Sequence, residues 1–308
     1  MAINKVMRAA LKALSYPDID VKNNYKLERQ VINVSHRQFL KSSYKTWDHK
    51  ITYEDHDIPV RIFYPDNPEH HSVLLFFHGG GWVTGNIDSY NKVCTNMARL
   101  TNHIVVSVDY RLAPEHRFPA GLEDCYAVAK EIYLNSKLLD IQVDEITLIG
   151  DSAGGNLAAA LSLMARDRGE FIVGRQILIY PSTYYNHAES SPFKSVTENG
   201  TDFLLTSKKI CDYMDLYMGS EDDLNNPYFA PLIAKELSNQ PDTLIITAQY
   251  DPLRDEGEMY GKKLKRAGNN VRIYRIYDAL HGFFSLPPSF IQVKYAYKLI
   301  NRFLNKQI

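Results

Sequence analysis

From about residue 46 onward, short runs of Val, Ile, Leu and aromatics alternate with longer segments whose apolar residues recur at helical spacing. Parallel strands need a helix-length crossover between them, so this alternation specifies an α/β fold with a mostly parallel central sheet and helices on both faces. The strands read from the pattern are Lys45–Glu54, Ile58–Tyr64, Ser72–Phe77, Ile104–Val108, Glu145–Ile149, Gln176–Tyr180, Thr243–Thr247 and Val271–Ile276. The first two flank a polar turn and suit an antiparallel edge. The others are almost continuously apolar, as strands covered on both faces are. Helical spacing marks Ser89–Leu100, Gly121–Leu139, Asn156–Arg168, Asp255–Ala267 and Ser289–Asn305.

Two stretches break the alternation. Residues 1–45 are helix-prone, and 183–225 form a polar, aromatic segment with a helix-like Thr206–Met218. Long insertions in α/β enzymes build lids, so the expected organisation is a catalytic domain of residues 46–182 and 226–308 under a cap made of 1–45 and 183–225. Lys12 interrupts the apolar run Ala9, Ala10, Leu11, so Met1–Pro17 reads as a short amphipathic helix rather than a secretion signal.

Composition narrows the function. The 308 residues carry 35 Lys+Arg against 36 Asp+Glu, which leaves no basic surplus to displace counterions from a nucleic acid. No apolar run approaches the roughly 18 residues of a spanning helix, so no membrane insertion is expected. Cys94, Cys125 and Cys211 are odd in number, widely spaced and free of CxxC, and read as buried small side chains in a reducing cytoplasm. A homo-oligomer is left open.

The chemistry concentrates at strand ends. Gly150, Asp151, Ser152, Ala153 and Gly154 form a GxSxG pattern between an apolar strand and an Ala/Leu-rich helix, the setting a nucleophile elbow requires. The bland alternative is a tight turn with an N-capping serine. His78, Gly79, Gly80, Gly81 and Trp82 follow the strand VLLFF, where consecutive glycines present backbone N–H groups to a developing oxyanion. No Lys-Ser/Thr follows and GxGxxG spacing is absent, which argues against a phosphate cradle. Asp251 and His281 follow the last two strands, completing the order Ser, Asp, His of an α/β-hydrolase. Asp255 and Glu256 are rival acids, disfavoured because Asp251 stands first after its strand; Asp151 is read as structural.

With these residues in view, the chain resembles the hormone-sensitive-lipase-like carboxylesterases of the α/β-hydrolase fold. The match runs from about residue 72 to 284 through HGGGW at 78–82, DYRLAPEHRFPA at 109–120, GDSAGGNLA at 150–158, DPLRDEG at 251–257 and HGF at 281–283. The resemblance implies Ser152 as nucleophile, His281 as general base and Asp251 as its orienting acid. It further implies an oxyanion hole from the amides of Gly80, Gly81 and Ala153, with His78 and Gly79 supporting the loop. In DYRLAPEHRFPA it implies a structural role, which Pro114 and Pro119 fit by fixing the loop and Arg111, Glu115, His116 and Arg117 fit as charge partners; His116 is not taken as the base.

The expected activity is hydrolysis of short acyl esters through an acyl-enzyme, on a small-molecule ester and without metal or organic cofactor. Trp82, Tyr184, Tyr185 and Phe203 are expected to wall an apolar acyl pocket, with ordinary packing as the alternative. An amidase, formamidase or peptidase would use the same residues, and a non-catalytic small-molecule receptor is the reading from another class.

Overall fold

The computed structural model describes residues 20–36, 44–66, 72–136 and 141–307. Its strands are β1 (Thr46–Tyr53), β2 (His56–Phe63), β3 (Val73–Phe77), β4 (Ile104–Val108), β5 (Ile146–Asp151), β6 (Arg175–Ile179), β7 (Asp242–Tyr250) and β8 (Val271–Leu280). The α-helices are α1 (Val21–His36), α2 (Asn91–Thr101), α3 (Ala120–Leu134), α4 (Ala153–Arg168), α5 (Lys194–Asn199), α6 (Ser207–Tyr217), α7 (Arg254–Arg266) and α8 (Ile291–Leu304). Met1–Pro17, expected as an amphipathic helix, lies outside the described residues.

The strands form one sheet in the order β1-β2-β4-β3-β5-β6-β7-β8. β1 and β2 make the expected antiparallel hairpin, β2 is antiparallel to β4, and every later pairing is parallel. Side chains alternate across the sheet, so β3 sends Leu75 and Phe77 into one core and Leu74 and Phe76 into the other. The first core takes α3, α4 and α7; the second takes α2 and α8. The helix α4 is buried from Ala153 through Ala165 and accordingly apolar on all sides.

The chain leaves β3 for β4 on one side and then crosses to β5 on the other, so the strand order reverses at β3. At such a switch point the connections diverge and leave a crevice beyond the carboxyl ends of the strands. The loops holding His78 and Ser152 open at that crevice.

Two strands run further than their apolar runs indicate. β7 reaches Tyr250 and β8 reaches Leu280, with an irregular register at Ala248/Tyr250. Gln249 and Asp278 conceal the extension in the sequence, yet the Asp278 amide donates to the Gln249 carboxamide at 2.8 Å and ties the two ends together. Asp251 and His281 therefore follow directly on the strands. Helix α3 ends earlier than expected, at Leu134 rather than Leu139.

The β5–α4 turn closes only because its small residues allow it. A Cβ on Gly154 would lie 1.9 Å from the Phe77 carbonyl oxygen, and one on Gly150 would lie 2.2 Å from the Gly154 carbonyl oxygen. Both obstacles are backbone. Gly154→Ala should destabilise the fold by about 3 kcal/mol through overpacking, seen as a lower thermal melting point; unchanged melting would mean that the elbow is not so tightly closed. Among the described residues no helix is long and apolar enough to cross a membrane.

Candidate active site

β5 ends at Asp151 and α4 begins at Ala153, leaving Ser152 alone in the turn with φ 55° and ψ −118°. Side chains with a Cβ avoid this region, and holding one there costs about 1–3 kcal/mol. The surroundings enforce it: the Ser152 N–H donates to the Ile179 carbonyl at 2.9 Å, and the Ser152 carbonyl accepts from the amides of Asn156 (3.0 Å) and Ser182 (3.3 Å). The serine side chain makes no capping bond to its helix. Its Oγ lies instead 2.9 Å from His281 Nε2.

On the other edge of the imidazole, Nδ1 stands 2.8 Å from Asp251 Oδ2. Asp251 is fully buried, and its Oδ1 accepts the Leu253 N–H at 2.9 Å. The Tyr180 ring packs on His281 with centroids 4.7 Å apart. The three residues that the sequence places in separate loops thus converge in one hydrogen-bonded row.

The rival acids are engaged elsewhere. Asp255 accepts the Ser195 amide at 2.9 Å and pairs with Arg254 at 2.8 Å. Glu256, fully buried, accepts the amides of Thr183 (2.6 Å) and Tyr184 (3.1 Å) and lies 2.6 Å from His187 Nε2. In the 109–120 loop, Arg111 pairs with Asp124 at 2.8 Å, Glu115 with Arg29 at 2.8 Å, and Arg117 donates to the Met218 carbonyl at 2.7 Å; His116 is exposed.

Facing Ser152, each peptide of the glycine loop is held by its other end. The His78 carbonyl accepts the Tyr110 hydroxyl at 2.7 Å, and the Gly79 N–H donates to Asp151 Oδ1 at 2.9 Å. The Gly79 carbonyl lies 2.8 Å from His78 Nδ1, and the Gly80 carbonyl accepts from the Thr84 amide (2.9 Å) and hydroxyl (3.0 Å). In a trans peptide the N–H points opposite to the carbonyl. Anchoring the Gly79 and Gly80 carbonyls therefore turns the Gly80 and Gly81 N–H groups the other way. Among the described residues neither amide, nor that of Ala153, donates to a protein acceptor, and all three residues line one cavity with Ser152 and His281.

Burial pushes His78 down to about 4, which keeps the ring neutral near pH 7; because a carbonyl oxygen only accepts, the ring proton sits on Nδ1 and donates to the Gly79 carbonyl. Burial likewise pushes the Asp151 carboxyl up to about 6, opposed by the Gly79 N–H and the Tyr90 hydroxyl.

The cavity measures about 210 Å³ and is mainly apolar. Ile32 of α1, Leu205, Ile210 and Tyr213 of α6, and Leu253 wall it. Of the four aromatics expected there, only Trp82 lines it, stacked on Tyr217 at 4.5 Å. Tyr184 packs on Tyr185 (4.4 Å) and Phe193 (5.3 Å), and Phe203 stacks on Tyr250 (5.1 Å), all outside the lining. Tyr213 is the wall residue that sequence reading missed most plainly. A Cβ on Gly81 would meet its ring at 2.4 Å, and its hydroxyl donates to Glu28 at 2.8 Å, fastening α6 to α1. Among the described residues no group of three or more His, Cys, Asp or Glu could hold a metal ion.

Known proteins share this architecture. A family model described as alpha/beta hydrolase fold matches residues 74–285. The chain belongs to the α/β-hydrolase family. Within it, the chain falls in the hormone-sensitive-lipase-like group that its motifs resemble. An arylesterase of Saccharolobus solfataricus is 37% identical over 250 residues, 81% of this chain and 80% of the relative. Esterase LipI of Mycobacterium tuberculosis is 35% identical over 287 residues, 92% and 88% of the two chains. Among solved structures, a hyperthermophilic esterase from the archaeon Pyrobaculum calidifontis superposes with a TM-score of 0.85 at 35% identity, covering 99% of each chain.

Proposed function

We propose that this carboxylic ester hydrolase works by serine acyl transfer on short-chain esters. The hydrogen-bonded row Ser152–His281–Asp251, opposite unengaged amides in one cavity, supports the reading most directly. His281 Nε2 accepts the Ser152 proton as Oγ attacks the ester carbonyl, while Asp251 fixes the Nδ1–H tautomer and stabilises the imidazolium. The oxyanion of the tetrahedral intermediate lies against the amides of Gly80, Gly81 and Ala153, each contributing about 3 kcal/mol when preorganised. The intermediate collapses as His281 protonates the departing alcohol. Water then attacks the acyl-Ser152, giving its proton to His281, and the acid leaves as Ser152 is restored.

Residues 46–182 and 226–308 form the catalytic domain in this reading, and 1–45 with 183–225 form its cap. The wall residues Ile32, Ile210 and Tyr213 come from that cap. Its place of work is the cytoplasm, which suits three unpaired cysteines.

A cavity of 210 Å³ is below the roughly 300–1,000 Å³ of drug-sized sites, so short acyl groups fit it best. Across 4-nitrophenyl esters from acetate to decanoate, kcat/KM should be highest at or below butyrate and about ten-fold lower at decanoate, a difference of about 1.4 kcal/mol. The matched 4-nitroanilides should react far more slowly. Preference for decanoate would contradict the pocket reading, and faster amide cleavage would favour the amidase.

A further inference from the structure

We propose that Asp151 is a positioning residue for the oxyanion loop: by accepting the Gly79 N–H it sets the distance between the Gly80 and Gly81 amides and the Ser152 hydroxyl. The inference rests on the acyl-transfer reading and assigns a task to a side chain which that reading leaves idle.

Asp151 is the last residue of β5, immediately before the nucleophile, and is 3% exposed. A carboxylate so buried is costly unless donors converge on it. Three do, from different parts of the chain. Its Oδ1 accepts the Gly79 N–H at 2.9 Å, and its Oδ2 accepts the hydroxyls of Tyr90 at 3.2 Å and Tyr180 at 3.4 Å. Sheet pairing brings the partners together, because Phe77 of β3 stands opposite Gly150 of β5 and the next residues leave the strands side by side. The approach is closed to any side chain: a Cβ on Gly79 would lie 2.8 Å from Asp151 Oδ2 and 2.9 Å from the Tyr90 hydroxyl.

The consequence is a short mechanical path. Asp151 is covalently joined to Ser152, and Gly79 is covalently joined to Gly80. Beyond the end of the β3–β5 pairing, the Asp151–Gly79 hydrogen bond therefore ties the residue next to the nucleophile to the loop bearing two of the three oxyanion amides. His78, Tyr110 and Thr84 fix the orientation of these peptides, whereas Asp151 fixes their separation from Oγ. Oxyanion donors act only when held within a few tenths of an ångström of the developing charge. Loosening this link should weaken transition-state binding and leave ground-state ester binding nearly untouched.

The test compares the parent chain with Asp151→Asn and Asp151→Ala, measuring kcat and KM on 4-nitrophenyl acetate and the affinity of an alkyl trifluoromethyl ketone, which forms a tetrahedral adduct on a nucleophilic serine. Asp151→Ala should lower kcat by about 30-fold, keep KM within about two-fold and weaken the ketone in step with kcat. Asp151→Asn should stay within about ten-fold of the parent, because its carboxamide oxygen still accepts the Gly79 N–H. The proposal is overturned when Asp151→Ala retains kcat within about three-fold, when its loss falls on KM, or when Asn is no better than Ala. Should Asp151→Ala not fold, the Asn variant decides: ketone affinity within about ten-fold of the parent carries the proposal, and a larger loss sinks it. A parent chain that neither turns over the ester nor binds the ketone would instead refute the acyl-transfer reading.

Discussion

Ser152→Ala is expected to lower ester turnover by about 10⁶-fold while thermal melting stays nearly where it was. In the acyl-transfer reading the loss is large because the change removes the atom that attacks, and His281 is left with no alcohol to deprotonate. What survives is the polarising effect of the amides on a bound ester attacked directly by water. Melting holds because alanine keeps the Cβ and therefore the same φ 55° strain, and gives up only the 2.9 Å contact to His281. Ser152→Gly should be equally inactive yet more stable, by about 1 kcal/mol, since glycine occupies this conformation without a Cβ penalty and the strain relieved exceeds its extra chain entropy. Turnover and melting of the pair test both statements. An alanine variant retaining more than about 1% of turnover would remove Ser152 as nucleophile. A glycine variant melting below alanine would show that no strain is stored there.

The parts that could be read in advance are those where one residue type answers one local demand. VLLFF is a strand because each of its side chains finds apolar surface on one face or the other. Gly150 and Gly154 are legible because only a residue without a Cβ lets the turn close, and HGGGW because consecutive glycines are otherwise costly. The cavity wall obeys no such rule. With 21 tyrosines and 13 phenylalanines, aromatic identity does not say which ring faces the crevice. Tyr184 follows shortly after β6, close to the site along the chain. Glu256, however, takes the amides of Thr183 and Tyr184 and draws that segment toward α7, so the ring meets Phe193 instead. Tyr213 reaches the site only because α1 and α6 come together, a contact between positions 28 and 213 that no local pattern encodes. The clamps from Tyr110 and Asp151 onto the glycine loop are equally long-range, so the loop was visible and its holders were not.

The acid assignment carries the second large effect. Asp251→Asn should lower kcat by about 10⁴-fold, whereas Asp255→Asn should stay within about ten-fold. The geometry gives the reason. Asp251 Oδ1 accepts the Leu253 N–H, so in the Asp251→Asn chain the carboxamide oxygen is retained at that position and its NH₂ is turned toward His281 Nδ1. A donor there compels Nδ1 to accept, which moves the imidazole proton to Nε2. Nε2 then points a proton at Ser152 and cannot take one from it. The fold should survive, since the substitution is isosteric and every backbone contact remains. Asp255 makes no contact with the imidazole. Its oxygens hold the Ser195 amide and the Arg254 side chain, so its replacement should appear mainly in melting, through a looser junction between α5 and α7. Measuring kcat and melting for both variants separates the cases. A large kcat loss for Asp255→Asn with a small one for Asp251→Asn would move the orienting role to Asp255, and control of the imidazole tautomer by Asp251 would fall with it.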